Sequence, residues 1–277
     1  FLDLIPIWIL LVGTILAMMV FIEYGFRLGR KAQAGAKKAQ TSQVRAIMGA
    51  GLGLLAFMLA FTFSTAQSHF EARVQNLAQE SLIARNIFMQ ADLLTEPDRT
   101  RAKQLLKDYI GMRMATRDYH DDDITEKIAE LLQKSEQIQR ELWLLATKNS
   151  RLTPANQEDS GNSDHLIASV LTLTDIHYTR LHAGVMNRIP LTIWMTLYLM
   201  AALSMIIMGY QAGLTDRRSP VATVTLAVAF SAVIILITDL DRPIMSFFEI
   251  DNQLIVGLYE DMEADMSLEY YPGDQGQ

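Results

Sequence analysis

The sequence predicts an all-α integral membrane protein with four transmembrane helices in a two-plus-two order and a helical bundle on the non-cytoplasmic side. Three observations predict it. Residues 4–22, 46–68, 189–215 and 219–238 contain no Asp, Glu, Lys or Arg, and the short loops inside each pair are basic. The charged middle of the chain repeats apolar residues at helical spacing. At a rise of about 1.5 Å per residue, each uncharged stretch is long enough to cross about 30 Å of hydrocarbon. The implied division is a first helix pair at 1–63, a bundle at 64–188, a second pair at 189–238 and an acidic tail at 239–277.

Composition removes several classes of function. The 277 residues are 50% hydrophobic, but the apolar residues are gathered into bands, which points to lipid and away from a soluble core. The net charge of -7 and the absence of any Lys/Arg-rich face argue against a nucleic-acid partner. With no cysteine there is no disulfide framework, thiolate zinc site or cysteine nucleophile. Gly-x-Ser-x-Gly, phosphate-loop and His-Glu-x-x-His signatures are absent, so neither an enzyme nor a cofactor is expected.

The first apolar stretch is read as a span and not as a cleaved signal. It has no basic region before it, and it ends at Glu23-Tyr24 where a cleavage site would need small residues. The chain starts at Phe1 and not at Met, so a few leading residues are expected to be missing. The following loop holds Arg27, Arg30, Lys31, Lys37, Lys38 and Arg45 against the single acid Glu23. Short loops of this kind stay cytoplasmic. Arg217 and Arg218 in the other short loop point the same way. Both termini and the bundle are then expected on the periplasmic side of a bacterial inner membrane.

The second span carries Gly49, Gly51 and Gly53, then Ala56 and Ala60, with Thr62 and Ser64 at its end. Small residues let helices approach closely in lipid. Packing within the chain is the preferred reading of Gly49 and Gly53. The alternative is a pore lining or oligomer contact made by Gly49, Gly51, Gly53, Thr62 and Ser64. Other span hydroxyls are expected to bond a carbonyl one turn back. No span contains Asp, Glu, His or Arg, which argues against an ion-coupled pump.

Phe70, Val74, Leu77, Ser81, Ala84, Phe88 and Ala91 recur at steps of four and three, so the second span should continue beyond the membrane as one helix. Glu96-Pro97-Asp98 restarts the chain, and Leu105, Leu106, Tyr109 and Ile110 form the next apolar face, ending near Arg117. Tyr119-His120-Asp121-Asp122-Asp123 suits a hard cation by composition, yet Asp123 with Glu126 reads better as a helix cap. Ile124, Ile128, Leu131, Ser135, Ile138, Leu142 and Leu145 keep the same rhythm. Residues 149–164 read as a solvated loop. A last bundle helix is expected to bury Ile167, Leu171, Thr174, Tyr178, Leu181 and Val185. On it His177 and His182 point about 140° apart and form no chelating pair. No metal site is expected.

At the end of the fourth span stand Asp239, Asp241, Arg242 and Pro243. The structural reading pairs Arg242 with Asp239 or a neighbouring helix while Pro243 turns the chain; the functional reading places the motif at an ion vestibule. Asp251-Asn252 caps a short helix with Leu254, Ile255, Leu258, Tyr259 and Met262 on one side, packed on the bundle or the interface. The last residues, from Tyr270 on, are read as a flexible tail.

Together these features resemble the bestrophin-like domain family of bacterial membrane proteins. The likeness covers nearly the whole chain. It rests on the two-plus-two order, on Phe70-Glu71-Ala72-Arg73, on the run from Ala91 to Arg99 leading into Leu105-Leu106-Lys107-Asp108-Tyr109, and on Asp239-Leu240-Asp241-Arg242-Pro243. The family commonly continues after that proline with a glycine and a basic residue, where this chain has Ile244 and Met245. By its name the resemblance implies kinship with bestrophins, which are pentameric anion channels. Neck aromatics and calcium ligands of bestrophins find no matching positions here. The first functional expectation is therefore an oligomeric protein that conducts ions passively. The second is a non-catalytic accessory subunit, its bundle docking other membrane proteins. Lipid and further protein copies or subunits are the expected partners.

Overall fold

A computed structural model describes residues 5–33, 38–115, 124–152, 159–185, 188–216, 219–242 and 253–270. These form α1 (Ile7–Ala32), α2 (Lys38–Gln90), a single 3-10 turn (Ala91–Leu93), α3 (Asp98–Ala115), α4 (Ile124–Leu152), α5 (Asp159–Val185), α6 (Leu191–Thr215), α7 (Pro220–Asp241) and α8 (Gln253–Tyr270). No strand occurs among the described residues. The chain divides into two compact units, a membrane unit of Phe1–Ala72 with Gly184–Glu249 and a bundle unit of Arg73–Ala183 with Ile250–Gln277.

Among the described residues four helices, α1, α2, α6 and α7, are long and apolar enough to cross a membrane. Their ends follow from backbone chemistry. Pro6 and Pro190, which lack an N–H, precede α1 and α6, and their carbonyls accept the first helical bonds from Ile9 and Ile193. Pro220 opens α7 at the position where a missing donor costs nothing. Asp216 closes α6 in the left-handed conformation, at φ 49°. Arg242 closes α7 in an extended conformation, the one a residue before proline is driven into.

Within the membrane unit α1 and α6 pack along two matched glycine pairs. A Cβ on Gly25 or Gly29 would strike the carbonyls of Ile206 or Tyr210, and one on Gly209 or Gly213 those of Ile22 or Phe26. The core continues through Met18, Leu55, Leu197, Met205, Ala227 and Ile234, drawn from all four helices. Ser231 of α7 donates to the Met18 sulfur at 3.4 Å, and Ser204 of α6 to the Gly51 carbonyl at 3.3 Å. The outward faces are apolar too. Trp8, Val12, Leu16 and Val20 stand exposed along α1, as do Leu191, Met195 and Leu199 on α6. Such a surface suits lipid as its solvent.

The bundle unit buries Ala84, Ile87 and Phe88 of α2, Leu105, Leu106, Tyr109 and Ile110 of α3, and Leu142 and Ala146 of α4. From α8 it takes Ile255, Leu258 and Met262, so that amphipathic helix packs on the bundle. Lys103, only 1% exposed, ties α3 to Asp92 at 2.6 Å and to Asp265 of α8 at 2.9 Å; Lys107 reaches Glu263 at 2.8 Å.

Two sequence expectations are corrected here. The loop expected at 149–164 is shorter, because α4 runs to Leu152 and α5 begins at Asp159. The buried face of α5 is formed by Leu166, Val170, Leu173 and His177, while Leu171 and Tyr178 are exposed. The expected face is displaced by one position, about 100° around the helix. The acidic cluster at 119–123, the cap at 251–252, the arginines at 217 and 218 and the tail from 271 lie outside the described residues.

Candidate functional site

Three places in the described chain gather chemistry. The first is the end of α7, inside the membrane unit. Asp239 and Arg242 are buried, and Asp241 accepts the backbone N–H of Ile189 at 3.0 Å, just before α6 begins. The Arg242 guanidinium donates to the carbonyl of Ile5 at 2.9 Å, one residue before the α1 proline. His69 Nδ1 lies 4.0 Å from Asp241. The motif thus fastens the chain before α1 and the start of α6 to the end of α7 through Ile5 and Ile189. Pro243 lies outside the described residues.

The second is the exposed face of α2. Gly49, Gly53, Ala56, Ala60 and Ser64 are all exposed. A Cβ on Gly49 or Gly53 would meet nothing within 4 Å, so packing inside the chain, the preferred sequence reading of these glycines, is not what they do. Gly51 does face α6, where its carbonyl accepts the Ser204 hydroxyl. Thr62 is buried and bonds the Met58 carbonyl at 2.7 Å, one turn back. The close helix packing falls instead to Gly25, Gly29, Gly209 and Gly213, two glycine pairs at i, i+4 that the sequence reading passed over. Their signal was present in the spacing. Beside the α2 stripe an open apolar groove of about 450 Å³ runs between α2 and α7, lined by Ala56, Ala60, Phe63, Phe230 and Val233 among others.

The third is a polar cluster buried in the bundle unit; the sequence reading named Tyr109 as part of an apolar face and His177 as a histidine without a chelating partner, and did not bring the two together. Glu80 of α2, Tyr109 and Arg113 of α3 and His177 of α5 are buried together. The Tyr109 hydroxyl donates a short hydrogen bond to Glu80 Oε1, and Arg113 Nε donates to the same oxygen at 3.1 Å. Arg113 Nη2 reaches Tyr109 at 3.1 Å and His177 Nδ1 at 2.7 Å. Arg180 Nε stands 3.1 Å from Glu80 Oε2, an ion pair without hydrogen-bond alignment.

Burial would raise the Glu80 carboxyl, but Arg113, Arg180 and the Tyr109 hydroxyl more than offset it and hold the group below its ordinary value. Burial, with the Glu80 charge, pushes the Tyr109 phenol up to about 12. For His177, burial first and then the two guanidiniums lower the pKa to about 4, so the imidazole is neutral at pH 7. A guanidinium only donates, so Nδ1 must accept and the proton sits on Nε2. Among the described residues no group of three or more metal-ligating side chains converges.

The fold defines the class: an all-helical protein with four membrane-length helices. The comparisons narrow it. The Bestrophin-like domain matches residues 12–253, and the chain therefore belongs to the bestrophin-like family. No curated protein sequence matches it. A crystal structure of a bacterial bestrophin homologue from Klebsiella pneumoniae, carrying a leucine-to-threonine mutation, aligns with TM-score 0.63 at 17% identity over 94% of this chain and 98% of that one. A second crystal structure, of a membrane protein with a proline-to-alanine mutation, gives 0.62 at 18% identity with the same coverage. At such identities the likeness concerns the fold.

Proposed function

We propose that this protein is a homo-oligomeric membrane channel that passes ions, anions by its family, down their gradient. One observation carries this reading. The α2 stripe of Gly49, Gly53, Ala56, Ala60 and Ser64 is uncovered by the chain itself, while Gly25 and Gly29 of α1 and Gly209 and Gly213 of α6 are occupied by the facing helix. A face that exposes backbone in lipid suits either a neighbouring copy or a water-filled lumen, and a ring of copies offers both. Membership of a family named for bestrophins supports it. Its membrane is the bacterial inner membrane, with the bundle and both termini on the periplasmic side.

The test is reconstitution of monodisperse protein into planar bilayers. Anion-selective current that changes when Gly53 is replaced by Val is the expected result. A silent bilayer from well-folded oligomers overturns the proposal. Purification in mild detergent with one foreign membrane protein at fixed stoichiometry would instead favour the accessory-subunit reading, which the size of the bundle unit supports.

A further inference from the structure

We infer that the buried face of α5 holds a seat for a small monovalent inorganic anion of the halide class, between the Nε2–H of His177 and the guanidinium of Arg180. The inference is independent of conduction and concerns the bundle unit alone. His177 is wholly buried. Because Arg113 occupies Nδ1 as a donor, the imidazole proton lies on Nε2, and that N–H has no hydrogen-bond partner. A buried donor left unpaired is costly, so such a group in a folded protein calls for an acceptor.

Arg180 lies three residues further along α5 and therefore on the same face of the helix. Its Nε is likewise buried and finds no aligned acceptor, since Glu80 Oε2, 3.1 Å away, stands off the line of the N–H. Glu80 Oε2 is itself without an aligned donor, so the acceptor still required is one for His177 Nε2–H, at a place where two guanidiniums, of Arg113 and Arg180, lie close by and share a single carboxylate, that of Glu80. Water satisfies a donor equally in any potential; an anion gains in a positive one. The pKa of His177 is lowered first by burial and then by both arginines, against which Glu80 acts in the opposite sense. The close burial of His177 argues for a single-atom ion over an oxyanion, and Arg180, with a side chain 25% exposed, supplies the entry.

The experiment uses the full chain in detergent, with thermal unfolding followed as sodium chloride or bromide replaces sodium gluconate at fixed ionic strength. A saturable rise in Tm of a few degrees is expected. His177→Phe should abolish it and Arg180→Gln should raise the half-saturating concentration about tenfold. Crystals of the unaltered protein soaked in bromide decide the matter even if the variants fold poorly: an anomalous peak should lie within hydrogen-bond distance of His177 Nε2. Equal stability in gluconate and chloride, a rise that both substitutions leave unchanged, or a bromide map with no peak beside Nε2 would each overturn the inference.

Discussion

The neutral state of His177 links the inside of the bundle to pH. Its folded pKa, about 4, lies below the ordinary imidazole value of 6.5. Above pH 6.5 both folded and unfolded chains hold the imidazole neutral, and the group has no effect on stability. As pH falls from 6.5 to about 4 the unfolded chain takes up the proton first, so stability declines, by about 3 kcal/mol over the window. Below about 4 the contribution is constant, and there Glu80 takes over. Its folded pKa is depressed, so the stability it gives is present above the unfolded value of 4.5 and is lost as pH falls through the folded one. Thermal unfolding of the purified protein from pH 7 to 4 should show the decline, and His177→Gln should flatten the portion between 6.5 and 4. Parallel curves for the two proteins would mean that the imidazole is not held neutral.

At this scale the sequence was half legible. Leu105, Leu106, Tyr109 and Ile110 stand out by spacing, and all are buried. Glu80 and Arg113 do not stand out, because a charged residue is buried only when its partners on other helices are in place, and a linear pattern holds no trace of those partners. The same cause displaced the face of α5. Leu166, Val170 and Leu173 are as apolar as Ile167, Leu171 and Tyr178, and the side that turns inward ends in His177, whose polarity is met by Arg113.

Among elements, the contrast between two sets of glycines is the sharpest. The i, i+4 spacing of Gly49 and Gly53 equals that of Gly25 and Gly29 and of Gly209 and Gly213, and only the last two pairs meet another helix of the chain. Spacing shows that a helix can be approached closely and not which neighbour approaches it. Because a side chain at Gly209 has backbone, and not a pliant side chain, in its way, Gly209→Val should force α1 and α6 apart at a cost of about 1–3 kcal/mol or more. Gly53→Val meets open space and should leave the folded subunit as stable as before. Size-exclusion profiles and melting curves of the two variants compare these directly. Equal losses would show that the α2 stripe is as tightly covered as the α1–α6 seam. The four spans were far more legible, since an uncharged run acts locally, whereas the sequence reading passed over the prolines that open three of them. Pro6, Pro190 and Pro220 each sit at a helix start.

For the whole molecule, the four apolar helices and the family follow from the sequence, the structure and the family match together. Sidedness rests on the basic loops alone, and with it the reading of where the bundle stands and of which face an ion would enter. The absence of cysteine makes single-cysteine labelling clean. Intact spheroplasts carrying either Gln157→Cys or Lys37→Cys, treated with a membrane-impermeant maleimide, test the threading of the chain most directly. Modification at position 157, and protection at position 37 until the membrane is broken, is the expected outcome. Labelling at 37 with protection at 157 would invert the topology and contradict the placement of the bundle outside the cell's inner membrane.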